Sequence, residues 1–398
     1  MSIFSPLSNS SFRYLFLGQL ISLLGTGLTT VALALLAYEL SPAHAGAVLG
    51  SALAIKMVAY LGIAPLVGGY IHKLPRKYWL AALNLGRGLM VMLLPLVAEL
   101  WQLFALIFLL NALAAGYTPV YQAMLPDLLP DQQEYTRALS LSRFAMEMES
   151  LLSPALAAAL LFFLPYSTLF GINSIGFALA TGLVLLAQIP PAAISVRSDG
   201  VWHHISFGMR SYLKTPRLRG MLMLNLALSA AGAMVIVNTV VYVRSVLGLE
   251  EQLVPMVMIA TGVGSMVSAF ALPAVLERFR DRAVMLSGGG LFSVALSSGL
   301  LEPGLFGLLP IWCVIGIATS MVLIPTGRVL RDSCNPADRN DYFAANFALT
   351  HGMWLLGYLL AGWLGSQFGM GVTFLLLALV SLLATIAAMR IWSVDDQA

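Results

Sequence analysis

The stretch "PPAAISVRSDGVWHHISFGMRSYLKTPRLRG", Pro190 to Gly220, is the longest interruption between apolar segments of this 398-residue chain. It opens with two prolines, which disfavour helix continuation, and goes on as a basic amphipathic segment. Six long apolar segments precede it and six follow it. The interruption therefore predicts an N-terminal half at 1–188, a connecting segment at 189–218 and a C-terminal half at 219–398.

The composition places the apolar segments in a lipid bilayer. Hydrophobic residues make up 59% of the chain and charged residues 10%, unlike an average soluble domain. A helix of about 20 apolar residues spans the roughly 30 Å hydrocarbon layer, whereas a membrane barrel would show short segments of alternating polarity. The sequence predicts an all-α membrane protein with twelve transmembrane helices in two pseudo-symmetric six-helix halves.

The two halves repeat one another at a nearly constant offset. The stretch "FRYLFLGQL" from Phe12 is similar to "LRGMLMLNL" from Leu218, and "YIHKLPRK" from Tyr70 aligns with "VLERFRDR" from Val275. Matches in one order at one offset indicate two parallel repeats, an arrangement found in secondary transporters.

Basic residues predict the orientation. With the N-terminus inside, three of the 21 Lys and Arg residues lie within spans, at Lys56, Arg87 and Arg143, and only Arg244 lies outside. Loops rich in Lys and Arg stay in the cytoplasm. We therefore expect a multi-pass protein of a bacterial inner (cytoplasmic) membrane with both termini and the segment 189–218 in the cytoplasm.

Several functional classes find no support in the sequence. Cys313 and Cys334 provide neither a disulfide framework nor a metal-ligand spacing. No nucleophile-and-base arrangement or phosphate-binding loop appears, so neither an enzyme nor a cofactor is expected. The net charge of +3 comes without a clustered basic face, so nucleic acid is not an expected partner.

The stretch "GGYIHKLPRK", Gly68 to Lys77, is similar to the loop between helices 2 and 3 of the major facilitator superfamily, which usually reads G-x-x-x-D-R-x-G-R-K. Gly68, Lys73, Arg76 and Lys77 fit this pattern, and His72 stands where the family usually has Asp. The resemblance implies a loop that latches one conformation, weakened or made pH-dependent by His72. The alternative is an ordinary positive-inside signal.

The resemblance extends over nearly the whole chain. Antiporters of the superfamily carry a Gly-rich pattern ending in Gly-Pro on helix 5, where this chain has Ser150, Ser153 and Pro154. Small residues still permit close helix approach. The stretch "MLPDLLPDQQEYTRALSLS" from Met124 is similar to exporters of the drug and siderophore branch. Its Asp127 is expected to act with the conformational loop. The resemblance favours export over uptake and names no substrate.

Helix 5 also carries charges inside its span, in "RFAMEMESLLSPA" from Arg143 to Ala155. Arg143 and Glu147 are four residues apart and share a face, so they can pair. Glu149 lies about 200° from Glu147 around the helix and about 17 Å deep. A charge at that depth costs about 2.5 kcal/mol or more. Glu149 and Glu147 are therefore candidates for proton coupling, with a purely structural ion pair as the alternative.

Lys56 on helix 2 is a third proton-coupling candidate, unless it only neutralises a glutamate. Arg87 on helix 3 and Arg143 are expected charge partners, and Arg87 could reach Asp127. The second half shows no carboxylate within its spans and supplies neutral polar side chains for a substrate cavity. The predicted cavity residues are Gln19, Asn225, Asn238, Asn346 and His351, the last of which could instead serve helix packing.

We therefore expect a secondary active transporter that exports a small amphipathic organic molecule, such as a drug or siderophore, in exchange for protons by alternating access. Its expected partners are that small molecule, protons and the lipid bilayer, and we expect it to be a monomer. The alternatives are a metal-ion exporter or proton symporter of the same fold, or a lipid-handling membrane protein.

Overall fold

The fold was obtained as a computed structural model, which describes residues 3–41, 45–71, 74–191, 201–250 and 253–393. Within these residues, eleven helical stretches are long and apolar enough to cross a membrane. The last of them, Pro336–Ile391, is interrupted at Gly369, whose φ of 78° is a conformation that glycine adopts readily. Counting one span on each side of Gly369 gives twelve spans in all, which confirms the predicted helical membrane fold.

The helices of the first half begin at short connections with capping side chains. Asn9 accepts a hydrogen bond from the backbone of Phe12 at the start of the first helix, Ser10–Leu40. Asp131 accepts one from the backbone of Glu134 at the start of the fifth helix, Gln132–Leu161. Such caps satisfy backbone N–H groups that have no partner within the helix. The six helices are α1 (Ser10–Leu40), α2 (Ala45–Tyr70), α3 (Arg76–Leu93), α4 (Leu100–Leu128), α5 (Gln132–Leu161) and α6 (Tyr166–Leu186).

The second half follows a short amphipathic helix and contains one irregular span. Its first span continues beyond Ala233 through two π-helical turns, Met234–Asn238 and Tyr242–Val246. Such turns add a residue to the helical repeat and change the direction of the side chains that follow. The remaining helices are α7 (Val201–Lys214), α8 (Pro216–Ala233), α9 (Val254–Arg278), α10 (Asp281–Ser298), α11 (Leu305–Arg331) and α12 (Arg339–Ile391).

The chain groups into two compact units that each take a short segment from the other sequence half. Unit 1 includes the start of α12, and unit 2 includes the segment Thr136–Glu147 of α5. The boundaries predicted at 189–218 stay a prediction. Unit 1 comprises Met1–Tyr135, Met148–Arg210 and Cys334–Ala348, and unit 2 comprises Thr136–Glu147, Ser211–Ser333 and Leu349–Ala398.

Small residues set the helix packing inside each unit. In unit 2, α9 and α11 touch so closely that a Cβ added at Gly316 would lie 1.9 Å from the carbonyl oxygen of Thr261. In unit 1, Asn173 of α6 packs on α1 and donates to Thr29 Oγ1 at 2.6 Å. Because lipid offers no hydrophobic drive for helix association, close backbone approach and interhelical hydrogen bonds hold such helices together.

Candidate functional site

Arg143 and Glu147 form an ion pair within unit 2. Arg143 Nη2 donates to Glu147 Oε1, the pairing that their spacing along α5 predicts. Arg143 Nε also donates to Ser265 Oγ at 3.1 Å, and Ser265 Oγ lies 2.7 Å from Ser320 Oγ on α11. Glu147 is buried. The Arg143–Glu147 pair on α5 is therefore bonded to Ser265 of α9, and through it to Ser320 of α11, within one unit.

Glu149 lies on the opposite face of α5 and belongs to unit 1. Its Oε1 atom is 2.8 Å from the position that a Cβ would occupy on Gly27 of α1. Ser153, one turn further, fills the same groove and donates to the carbonyl oxygen of Leu24 at 3.4 Å. The structure thus separates the two glutamates, as the angle between them predicts. Which of them binds a proton stays a prediction.

Lys56 and Arg87 are the membrane-embedded cations of unit 1. The ammonium of Lys56 lies 5.5 Å from the ring centre of Tyr60, and the guanidinium of Arg87 lies 4.3 Å from that of Phe177 and 6.0 Å from that of Tyr117. Among the described residues, neither cation makes an ion pair with a carboxylate. Aromatic faces thus provide the contacts that the sequence led us to expect from carboxylates.

Asp127 is held by two arginines at the helix ends of unit 1. Arg76 Nη1 donates to Asp127 Oδ2 at 2.6 Å, and Arg339 Nη1 of α12 donates to Asp127 Oδ1. Arg76 Nη2 also donates to Asn340 Oδ1 at 3.3 Å. The expected contact between Asp127 and Arg87 is absent because these partners occupy the carboxylate. Nothing in the sequence distinguishes Arg339 from the other basic residues near helix starts, so sequence reasoning missed it.

The other residues of the conformational loop surround this cluster along the chain. Gly68 packs against the start of α12, since an added Cβ would lie 2.9 Å from Ala344 Cβ. Lys77 is partly exposed at the start of α3. His72 and Lys73 lie outside the described residues. The latch role of the loop stays a prediction.

The five predicted cavity residues do not gather in one unit. Gln19 accepts a hydrogen bond from the Tyr121 hydroxyl at 2.9 Å in unit 1, which also contains the buried Asn346, while the partly exposed His351 belongs to unit 2. Asn225 and Asn238 are buried in unit 2 and donate to backbone carbonyls. The side-chain N–H groups of both asparagines are thus bonded within the protein. A substrate role for the five residues stays a prediction.

A metal site would need several His, Cys, Asp or Glu side chains close together. Within the described ranges, no three His, Cys, Asp or Glu residues lie close enough together to hold a metal ion.

Comparisons with known proteins agree with this architecture. A sequence profile of the Major Facilitator Superfamily matches residues 15–278 and 222–398. Macrolide efflux protein A of Streptococcus pyogenes is 23% identical over 192 residues, which is 47% of either chain. The protein of that name from Enterococcus faecalis is 24% identical over 160 residues, 38% of this chain and 49% of the relative. The chain thus spans about half the length of the curated relatives it matches.

Solved structures share the fold at low sequence identity. The human organic anion transporter MFSD10 (TETRAN) has a TM-score of 0.82 at 14% identity, covering 96% of this chain and 99% of its own. A bacterial homologue of the iron transporter ferroportin has a TM-score of 0.77 at 16% identity, covering 96% and 98%. The E. coli fucose:proton symporter FucP has a TM-score of 0.73 at 13% identity, covering 99% and 100%. At such identities these likenesses show the fold alone.

Proposed function

The chain belongs to the major facilitator superfamily, and we propose that it is a secondary active transporter that exports a small amphipathic organic molecule in exchange for protons. Export is supported by the similarity to macrolide efflux proteins over about half of their length. The exchange of protons rests on one observation, the position of Glu149.

Glu149 is the carboxylate that fits a proton site. It lies against Gly27 of α1, on the face of α5 opposite the Arg143–Glu147 pair. A carboxylate deep in a membrane span is costly when charged, so its protonation favours whichever conformation buries it most. Glu147 has the opposite character, because Arg143 stabilises its charge. Glu149 is therefore our proton site, and the Arg143–Glu147 pair is structural.

The Asp127 cluster supports the conformational part of the proposal. Arg76 and Arg339 come from opposite halves of the sequence and share one carboxylate within unit 1. An ion pair between the halves has to break when they separate, so such a contact biases one of two alternating conformations. Asp127, Arg76 and Arg339 therefore form the latch in our proposal. The acid that the family usually has at position 72 is not needed for it.

The test compares Glu149→Gln with the matched variant Glu147→Gln on the same helix. Drugs and siderophores are first screened by the thermal shift that they cause in the purified protein, and the strongest ligand is followed in proteoliposomes under an imposed proton gradient. Glu149→Gln should bind this ligand but lose proton-driven flux. Glu147→Gln should keep coupling in the protein that folds.

Other outcomes reassign the function. Normal transport by Glu149→Gln and uncoupled transport by Glu147→Gln would exchange the roles of the two glutamates. Flux against a gradient in both variants would reject proton coupling at α5. Substrate movement along the proton gradient rather than against it would identify a symporter.

We also propose that the protein resides in a bacterial inner membrane with both termini in the cytoplasm, and that it works as a monomer. The distribution of basic residues supports this orientation. Impermeant thiol reagents should label a cysteine placed at position 250 from outside the cell and miss one placed at position 197. The reverse pattern would invert the orientation.

A further inference from the structure

Lys56 and Arg87 lie at similar depth in unit 1. Helices α2 and α3 are antiparallel neighbours in the chain, and α2 ends at Tyr70, fourteen residues after Lys56. That places Lys56 about 21 Å from this end, and Arg87 lies eleven residues into α3, about 17 Å from the same end. Both side chains are partly exposed. Two positive charges thus stand at comparable depth in consecutive spans, each of which packs against α4.

Neither charge has an ion-pair partner among the described residues of unit 1. Arg87 Nε is buried and has no hydrogen-bond partner among the described residues. Unit 1 contains a single carboxylate deep in its described spans, that of Glu149, and neither Lys56 nor Arg87 forms an ion pair with it. An uncompensated cation in a span is costly, so such residues face a water-filled space or a partner of opposite charge.

The groups around Arg87 are uncharged and buried. Phe177 and Tyr117 present ring faces to the guanidinium, and Tyr117 stacks on Tyr121 with ring centres 5.8 Å apart. Asn84, one turn before Arg87 on the same face, is 1% exposed and lies beside Tyr117, but its amide makes no hydrogen bond of normal geometry with the described residues. The buried groups around the guanidinium are therefore aromatic rings and an amide, which bring no negative charge to it.

We infer that Lys56 and Arg87 bind the acidic group of a small organic anion, such as a carboxylate or sulfonate, while the partly exposed ring of Tyr60 beside Lys56 contacts its apolar body. The inference rests on the proposed transport function and specifies its substrate class. A guanidinium can offer two parallel N–H groups to a carboxylate, and an ammonium adds a second positive charge. A ligand anion would supply the negative charge that unit 1 lacks near these residues.

The test uses three probes with one aromatic body and different charge. Indole-3-acetate is an anion, indole-3-acetamide is its neutral analogue, and tryptamine is a cation. Equilibrium binding to the full-length protein in lipid nanodiscs should favour the acetate over the acetamide by about tenfold or more, because a hydrogen bond to a charged group is worth more than a neutral one. Tryptamine should bind weakest.

Substitutions at the two cations separate recognition from folding. Arg87→Gln and Lys56→Gln should each reduce the preference for acetate over acetamide by about tenfold. Arg87→Lys keeps the charge and should keep most of the preference. The control is Arg13→Gln, at an exposed arginine at the start of α1, and it should leave the preference unchanged. A cation that merely stabilises the fold would change the melting temperature and leave the ratio of affinities unaltered.

The outcomes distinguish this inference from the proposed function. Equal affinity for acetate and acetamide, a preference for tryptamine, or no binding of the acetate at millimolar concentration would overturn the anion site. Because binding is measured without a gradient, any of these results with intact proton-driven export rejects the anion site alone. Anion-selective binding by a protein that ignores the proton gradient supports the anion site and rejects proton coupling alone.

Discussion

Residues 70–77 of unit 1 and 275–282 of unit 2 occupy equivalent places in the two sequence repeats, where one helix ends and the next begins. Their charges differ at three positions: His72 corresponds to Glu277, Pro75 to Arg280, and Arg76 to Asp281. The second repeat thus has acids where the first has a histidine and an arginine.

The ion pairs follow this exchange. In unit 1 the carboxylate of Asp127 lies between the arginines Arg76 and Arg339. In unit 2 the guanidinium of Arg328 lies between the carboxylate of Asp281, at 3.2 Å, and the hydroxyl of Thr136, at 2.8 Å. Both repeats therefore join the start of one helix to the end of the next by an ion pair, with the signs of the partners exchanged. What the fold requires here is a pair of opposite charges, and either order satisfies it.

The interiors of the units differ in a second way. The Arg143–Glu147 pair of unit 2 is internally balanced and is bonded to Ser265. Unit 1 leaves the charges of Lys56 and Arg87 to aromatic rings. Unit 2 pairs the charges of Arg143 and Glu147 with each other, whereas Lys56 and Arg87 contact aromatic rings and no carboxylate among the described residues of unit 1. This difference is the basis of the anion site that we infer for unit 1.

The largest expected effect separates the two ion-pair clusters. Asp127→Asn leaves two largely buried arginines without their carboxylate and should lower the free energy of unfolding by about 3–5 kcal/mol. Asp281→Asn should cost less, because Arg328 keeps its bond to Thr136. The measurement is denaturant or thermal unfolding of the purified protein. Equal losses would mean that the second arginine adds nothing, and the comparison between the clusters would lose its basis.

A smaller effect separates the two interiors. Gly27→Ala and Gly316→Ala each place a methyl group within 2.2 Å of another atom, Ser153 Cβ in unit 1 and the Thr261 carbonyl oxygen in unit 2. Overpacking of this kind costs about 1–3 kcal/mol. Gly27→Ala should also reduce proton-driven flux, because Glu149 lies against the same glycine, whereas Gly316→Ala should reduce stability alone. Flux normalised to folded protein checks this, and equal coupling in the two variants would contradict it.

The smallest effect concerns the exchanged acid. His72→Asp introduces a negative charge four residues before Arg76 in the sequence and should stabilise the outward-open form by about 0.3–1 kcal/mol, which changes the ratio of the two conformations about two- to fivefold. Glu277→His should act in the same region of unit 2 by removing the partner that lies 3.6 Å from Arg137. Spin-label distances across the cytoplasmic face report the ratio. An unchanged distribution in His72→Asp would reduce the loop to a topology signal.

Contacts between near neighbours in sequence were the part of the site that could be predicted. Arg143 and Glu147 pair because a helix brings residues four apart onto one face, and Glu149 falls on the other face for the same geometric reason. The number of spans also follows from length and composition, and the positive φ of Gly369 provides the break between the last two. These features depend on helical periodicity and on the length of a span, both of which can be read along the chain.

Long-range partners needed the tertiary structure. Sequence reasoning offered Arg87 a carboxylate at Asp127, whereas packing placed Arg87 against Phe177 and gave Asp127 to Arg339, 212 residues away. A charged side chain can be neutralised by any of several groups, and the choice depends on which helices lie side by side.

The sequence by itself determined that this protein is a bundle of membrane-spanning helices in two repeats, because hydrocarbon leaves an unpaired backbone no other regular structure than a helix or a closed barrel. Only the tertiary structure decided that Glu147 is neutralised in unit 2 while Lys56 and Arg87 have no carboxylate partner in the described part of unit 1. The reason is one of range. Backbone hydrogen bonding in lipid is satisfied within each helix, whereas charges are satisfied between helices, and their partners are known only once the helices are packed.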